Sequence, residues 1–423
     1  MFKRNEKISI IGLGYVGLPL AIEFSKHCQV IGFDLNENRI EELKQGYDRT
    51  NEVDKKDLNS ETKILFTSDP ESLNEANVYI VTVPTPIDDF NVPNLEPLKS
   101  ASKLIGSYLD TGDTVIYEST VYPGVTEEVC IPILEAISSL SLNQGFTVGY
   151  SPERINPGDK EKTLKNITKI TSGSNKESAD YIDDLYNLIV DSTHPAPSIK
   201  VAEAAKVIEN TQRDINIGLI NELAVLFHKI GIDTQDVLDA ASSKWNFLRF
   251  NPGLVGGHCI GVDPFYLTYK AAQLGHHTEL ILAGRRINDN MADFVVDELI
   301  KNMITKRLVN DGTKVLVLGV TFKENCPDVR NTKVINIIKR LEKLSITCDV
   351  HDPIADAQSL EREYGVIVEA KPKKKEYDAV LLAVPHTIMI KNGPNSIKGY
   401  LKNGGTFFDL KSVFDIEESD WRL

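Results

Sequence analysis

A cysteine set among glycines, Gly256-Gly257-His258-Cys259-Ile260-Gly261-Val262-Asp263, is the stretch of this chain best suited to chemistry. A thiol is a strong side-chain nucleophile, and flanking glycines let backbone come close to a ligand. Almost a domain upstream lies Gly12-Leu13-Gly14-Tyr15-Val16-Gly17, the spacing of a dinucleotide-binding turn. A nicotinamide site accepts hydride and a thiol can hold an aldehyde. Together they point to an alcohol oxidised twice, through a thioester, to a carboxylate. Either motif alone says much less.

Context supports the glycine turn. The apolar run Lys7–Ile11 precedes it, a helical pattern follows, and Asp34 ends the next strand 20 residues after Gly14. Gly12, Gly14 and Gly17 permit a tight turn and close approach of Tyr15 and Val16 to a pyrophosphate at a helix N-terminus. Asp34 suits the adenosine ribose hydroxyls and repels a 2′-phosphate, so NAD is expected rather than NADP. Arg39 stands near enough to join the cofactor residues, although on a helix it also reads as a surface charge. Thr85, in Val83-Pro84-Thr85-Pro86, and Thr120, in Glu118-Ser119-Thr120, sit where strands leave a sheet toward the ligand crevice and are candidates for the nicotinamide half.

Two further groups carry possible chemistry. Lys206 and Asn210 are i and i+4 on a long helical stretch, with Arg213 three residues on, so the three are expected on one face. Val207, Ile208 and Ile217 beside them suggest a packed helix, where a lysine can donate to a developing alkoxide or orient water. Glu153, in Ser151-Pro152-Glu153-Arg154, follows a strand end and is a candidate base. His258 is assigned no chemistry, because sequence neighbours usually point apart. No residues at metal-ligand spacing accompany it, and no metal is expected.

The elements that must position these residues follow a βαβ rhythm. Strands are predicted at Lys7–Ile11, Val30–Asp34, Val78–Val83, Thr114–Glu118 and Thr147–Tyr150, and again at Lys314–Leu318, Thr347–His351, Ala379–Ala383 and Thr406–Leu410. Asp191–Ser198, with two prolines, reads as a linker. Val201, Ala205, Ile208, Ile215, Leu219, Leu223 and Leu226 recur at helical spacing from Ile199 to about Ile230, and further helices run to about Lys306. Lys371–Lys375 reads as a solvated loop. The fold expected is α/β, with two doubly wound Rossmann-like domains joined by a central helical domain containing a long helix. The domains are residues 1–198 for NAD, 199–306 for the centre and 307–423 for the second Rossmann-like unit.

At 423 residues the chain is too long for one core, and 41% hydrophobic with 26% charged residues is ordinary globular composition. A net charge of -14 argues against a nucleic-acid partner. Five scattered cysteines form no CxxC pair, as expected of a reduced cytoplasm. The basic start Met1-Phe2-Lys3-Arg4 leads into the glycine turn rather than a signal peptide, and no apolar run is long enough to span a bilayer.

Taken in order, the glycine fingerprint, Glu118-Ser119-Thr120-Val121, Ser151-Pro152-Glu153, Lys206…Asn210, Gly257-His258-Cys259 and Phe322-Lys323…Asp328-Val329-Arg330 resemble the UDP-glucose/GDP-mannose dehydrogenase family along essentially the whole chain. Ser151-Pro152-Glu153-Arg154-Ile155-Asn156-Pro157-Gly158 and the run to Pro264 look like its UDP-N-acetylglucosamine/UDP-N-acetylgalactosamine 6-dehydrogenase branch, of the Vi antigen and O-antigen type. UDP-glucose enzymes tend to carry a second acid where this chain has Pro157. The resemblance implies four-electron oxidation of C6 of a UDP-N-acetylhexosamine, with NAD as acceptor and Cys259 as covalent nucleophile. It further implies Lys206 and Asn210 as oxyanion donors, and Asp263, Thr120, Lys206 and Glu153 in thioester hydrolysis. Arg154, Ile155, Lys206, Asn210, Arg213, Arg249, Gly256, Phe322, Lys323 and Lys411 are the implied substrate contacts, and Arg330 is implied to reach the cofactor. Arg249 stands two positions before the arginine of the branch's Phe-Leu-Pro-Phe-Arg-Pro-Gly. The product would serve capsule or O-antigen synthesis, and the long helix would form the core of a homodimer or higher homo-oligomer. A two-electron β-hydroxyacid dehydrogenase would need neither Cys259 nor a second α/β domain. A non-catalytic sensor would be expected to lack Cys259, Lys206 or Asp263. UDP-glucose and UDP-N-acetylmannosamine are the competing substrates.

Overall fold

The computed structural model describes residues 6–50, 52–58, 64–88, 90–153, 164–257 and 259–423. Arg154, Ile155 and His258 lie outside the described residues. The chain divides into two compact units, Met1–Glu209 with Phe265–His277, and Asn210–Pro264 with Thr278–Leu423.

The first unit is built on a parallel sheet of β1 (Lys7–Ile11), β2 (Gln29–Phe33), β3 (Ile64–Thr67), β4 (Val78–Val81), β5 (Thr114–Tyr117) and β6 (Thr147–Tyr150), in the order β3-β2-β1-β4-β5-β6. Strands covered on both faces are selected as unbroken apolar runs, and β4 is buried throughout. Around the sheet lie α1 (Gly17–Ser25), α2 (Glu37–Lys44), α3 (Lys55–Leu58), α4 (Glu96–Gly106), α5 (Ile131–Ser138) and α6 (Lys176–Tyr186). Ile8, Ile10, Leu18, Phe24, Val30, Ile80, Ile116 and Ile182 share one buried cluster. The strand order reverses between β1 and β4, which opens a ligand crevice at their carboxyl ends.

All five expected strands form here, with small differences at their ends. The edge strand β3 escapes the apolar pattern because it is half exposed, as Leu65 shows. Asp191–Ser198 is not only a linker: it contains β8 (Thr193–Pro195), which pairs in parallel with β7 (Lys169–Thr171). Three residues are too few to carry a readable period.

The helix α7 (Ile199–Ile230) spans the residues expected of it. Its faces are a correction. Val201, Ile208, Leu219, Leu226 and Ile230 are exposed, whereas Glu203, Lys206, Asn210, Asp214 and Asn221 are buried. Ile208 therefore does not mark a packed face, and Arg213 is exposed, although at 100° per residue it stands only about 20° around the helix from Lys206. The remaining helices of the middle third are α8 (Thr234–Ser242), α9 (Asp263–Gln273) and α10 (Glu279–Thr305).

The second unit carries another parallel sheet, of β9 (Lys314–Leu318), β10 (Thr347–His351), β11 (Tyr377–Leu382), β12 (Leu401–Asp409) and β13 (Trp421–Arg422), ordered β10-β9-β11-β12-β13. With it go α11 (Val334–Lys343), α12 (Ala357–Tyr364), α13 (Thr387–Ile390) and α14 (Pro394–Lys398). Met291, Val295 and Leu299 of α10 join Val315, Val317, Ile335 and Ile338 in its core. Lys371–Lys375 is a largely exposed loop, as expected.

Candidate functional site

The glycine turn shows why each glycine is needed. Gly12 has φ +99°, and a Cβ on Gly17 would lie 1.8 Å from the Gly12 carbonyl oxygen. A Cβ on Gly14 would meet nothing within 4 Å. The outer two glycines thus make the turn, and the middle one leaves open space. Tyr15 and Val16 lead into α1, whose N-terminus suits a pyrophosphate. Asp34 follows β2, and its Oδ2 and Oδ1 accept from the Leu13 and Asn36 N–H groups at 2.8 and 2.9 Å. The carboxylate is therefore held at the turn, where an adenosine ribose would bind. These residues fit a dinucleotide.

Arg39 differs from a surface charge. It is buried, with Nε donating to the Leu13 carbonyl at 2.9 Å and Nη2 to Asp48 at 2.8 Å. Burial pushes the Asp48 carboxyl up, but bonds from Thr50 and Arg39 outweigh it and hold the group below its usual range. Arg39 thus braces the turn from behind.

The strand ends of the first unit are cross-braced. Thr85 Oγ1 donates to the Thr120 carbonyl at 2.7 Å, Ser119 Oγ to the Val83 carbonyl at 2.6 Å, and Tyr266 Oη to the Thr85 carbonyl at 2.7 Å. Thr120 itself is half-buried. Glu153 is buried, with Oε2 3.1 Å from Lys169 Nζ, a partner that no sequence motif announces. On α7, Glu203 accepts from the Gly124 and Thr126 N–H groups at 2.5 and 2.9 Å and so caps the turn after Thr120. Lys206, one turn along the helix, is buried.

In the second unit the cysteine loop is clamped. Gly257 has φ +83° and its added Cβ would lie 2.8 Å from the Phe322 ring, so only glycine fits. Its N–H donates to the Asn331 carbonyl at 3.2 Å, and Asn331 Nδ2 donates back to the Gly257 carbonyl at 2.8 Å. A Cβ on Gly256 would strike that same Asn331 carbonyl at 2.8 Å. The thiol-bearing Cys259 is exposed, and its carbonyl accepts from the Asp263 N–H at 2.8 Å as α9 begins. Asp263 Oδ2 accepts from Asn210 Nδ2 at 2.6 Å, with both residues buried.

Of the implied substrate residues, this loop gathers Gly256, Phe322 and Lys411, whose Nζ lies 2.9 Å from where a Cβ on Gly253 would stand. Lys323 is half-buried close by in sequence. Arg330 forms a two-bond pair with Asp328, at 3.0 and 2.8 Å. Arg249 is paired with Asp239 and Gln235 of α8. Asn331 was missed from sequence, although it directly follows Arg330.

A dinucleotide fold combined with a glycine-loop thiol defines an oxidoreductase that uses NAD. The chain belongs to the UDP-glucose/GDP-mannose dehydrogenase family: the NAD binding domain matches residues 6–190, the central domain residues 200–290 and the UDP binding domain residues 316–416. It is 55% identical to the UDP-N-acetyl-D-glucosamine 6-dehydrogenase of Salmonella typhi, over all of both chains. It is 54% identical to the protein of that name from Pseudomonas aeruginosa, over 99% of this chain and 100% of the relative. Among solved structures, the UDP-D-ManNAc dehydrogenase of Pyrococcus horikoshii superposes with a TM-score of 0.89 at 28% identity, over 98% of both chains. Among the described residues, no helix is long and apolar enough to cross a membrane.

Proposed function

We propose that this chain oxidises C6 of a UDP-N-acetylhexosamine, UDP-N-acetylglucosamine foremost, to the uronic acid. The observation that carries this is an exposed thiol on a loop clamped by Asn331 and Phe322, in a chain more than half identical to two enzymes named for that substrate. NAD supplies the hydride acceptor, used twice per sugar. Cys259 adds to the aldehyde carbon formed first, and oxidation of the thiohemiacetal leaves a thioester. Lys206 and Asn210 donate to the oxyanions. Asp263, Thr120 and Lys206 orient a water, and Glu153 takes its proton as the C–S bond breaks. Gly12, Gly14, Tyr15, Val16, Gly17, Asp34, Thr85 and Arg330 serve the cofactor, with Arg39 behind the turn. Phe322, Lys323 and Lys411 serve the nucleotide half of the substrate, with Arg154, Ile155, Arg213, Arg249 and Gly256 as further contacts. The enzyme works in the cytoplasm as a homodimer or higher homo-oligomer and feeds a surface polysaccharide.

The test is NADH formed per sugar consumed, with limiting UDP-N-acetylglucosamine and, separately, its galacto and manno epimers and UDP-glucose. Four-electron oxidation gives two NADH on an N-acetylated sugar. One NADH per sugar overturns the role of Cys259, and turnover confined to UDP-glucose or UDP-N-acetylmannosamine overturns the substrate.

A further inference from the structure

The second sheet has a buried histidine that the reaction above does not use. Its strand order reverses between β9 and β11, which places a ligand crevice at their carboxyl ends. The two strand ends come close there: a Cβ on Gly319, at φ +85°, would lie 2.3 Å from the Val384 carbonyl oxygen. Beyond Gly319 the chain runs through Thr321, Phe322 and Lys323 to Asn325. Beyond Val384 it runs through His386 to Thr387, and Asp352 follows β10.

His386 joins these three segments. Its Nδ1 accepts from the Asn325 N–H at 2.9 Å. A backbone nitrogen only donates, so Nδ1 carries no proton and the ring N–H is at Nε2. That nitrogen lies 2.9 Å from Asp352 Oδ2 and 3.3 Å from Thr321 Oγ1. The His386 and Asp352 side chains are both 0% exposed. Asp352 also accepts from the Val320, Ile354 and Ala355 N–H groups at 2.8, 2.9 and 2.9 Å, so it stays bonded without the histidine. Asn325, at φ +57°, is gripped a second time through its amide. Its Oδ1 accepts from the Thr387 N–H at 2.9 Å and its Nδ2 donates to Thr387 Oγ1 at 3.0 Å. At the other end of the loop, Thr321 Oγ1 donates to the Lys323 carbonyl at 2.8 Å.

A buried ring with two polar nitrogens gains nothing over an apolar side chain unless both nitrogens are bonded. Both are bonded here, and one of them holds the end of the short loop that carries Phe322 and Lys323. We propose that His386 is a positioning residue for the nucleotide half of the substrate, fixing that loop through the Asn325 N–H. This rests on the reading that Phe322 and Lys323 hold the nucleotide.

Two amide substitutions take the ring apart. Asparagine can place an oxygen where Nδ1 stands but is too short to reach Asp352. Glutamine can place an N–H where Nε2 stands but removes the acceptor of the Asn325 N–H. His386→Gln should weaken binding of UDP to the full-length protein about tenfold by calorimetry, because loss of one buried bond leaves the loop in place roughly a tenth of the time. His386→Asn should restore UDP affinity to within about threefold of wild type. KM for the UDP-sugar should follow UDP affinity, and KM for NAD should stay put in both variants. Unchanged UDP affinity in His386→Gln, equal weakening in the two variants, or a KM for NAD that rises in step overturns the proposal. Should His386→Gln fail to fold, Asn325→Gly decides: the site is exposed, glycine adopts φ +57° freely, and both amide bonds to Thr387 are lost. Weaker UDP binding with an unmoved KM for NAD upholds the anchor at Asn325, and wild-type UDP affinity overturns it. Phe322→Ala with Lys323→Ala separates the two levels. UDP binding lost in that double variant but intact in His386→Gln sinks His386 alone, whereas wild-type UDP affinity in it sinks the nucleotide reading and the proposal with it.

Discussion

A thiol is useful only while its loop is held, and Asn331 does the holding. It sits at φ +51°, which asparagine tolerates better than most residues, and its amide is bonded to the Gly257 carbonyl. Asn331→Ala loses that bond and strains the backbone. The loss of roughly 1–1.5 kcal/mol in loop placement predicts about a tenfold fall in kcat with NAD binding unchanged. Normal turnover in that variant would show the loop to be self-supporting. Cys259→Ala should abolish acid formation, since no comparable nucleophile remains, and full uronate yield from it would end the covalent scheme. Lys206→Ala removes the proposed oxyanion donor and should slow turnover about a hundred- to a thousandfold, as read from steady-state kcat. Asp34 and Cys259 were legible in the sequence because their chemistry forces glycine and acid into short fixed spacings. Asn331 and Lys169 were not, because each acts on a partner far away in sequence and belongs to a residue type common on surfaces. Arg39 was half misread for the same reason: nothing in the chain announces Asp48 as its partner.

At the scale of elements, the joint between α7 and the turn after Thr120 has a charge of its own. Burial pushes the Glu203 carboxyl up from 4.5 to about 7, against the pull of the Gly124 and Thr126 N–H groups. The folded chain therefore holds a proton that the unfolded chain releases between those values. The contribution of Glu203 to stability is greatest below pH 4.5, declines as pH rises to about 7, and is flat above, a change of order 3 kcal/mol. Glu203→Gln cannot ionise, so its melting temperature should drop less than the wild type's between about pH 5 and about pH 7.5. Asp113, pushed up to about 6 mainly by burial, leaves a slope common to both proteins, so only the difference is diagnostic. Equal drops would mean that Glu203 is ionised throughout. Long or fully covered elements such as α7, β4 and β9 were readable because repetition outlasts noise. β7, β8 and β13, at two or three residues, exist only because a neighbour pairs with them.

The whole molecule is where the sequence pattern of α7 misled most, and where it now predicts most. Helical spacing identifies a helix without saying which side is inside. Here the buried side holds Glu203, Lys206, Asn210, Asp214 and Asn221, while Val201, Ile208, Leu219, Leu226 and Ile230 are 46, 60, 53, 47 and 59% exposed. At 100° per residue those five fall within about 40° of one another, along roughly 44 Å of helix. An apolar stripe of that length, broken by the exposed Gln212, is on a lone chain the mark of an interface, and the homo-oligomer proposed above gives it a partner. Two copies each carrying -14 repel, so their association must come from apolar burial. Added salt should then leave the dimer intact or tighten it, since screening weakens only the repulsion. Ile208→Glu with Leu219→Glu should give a folded monomer by light scattering, because both side chains are exposed in the single chain and cost its fold little. A wild type that is monomeric at micromolar concentration, or a double variant of unchanged mass, would place the contact elsewhere and leave the stripe without a role.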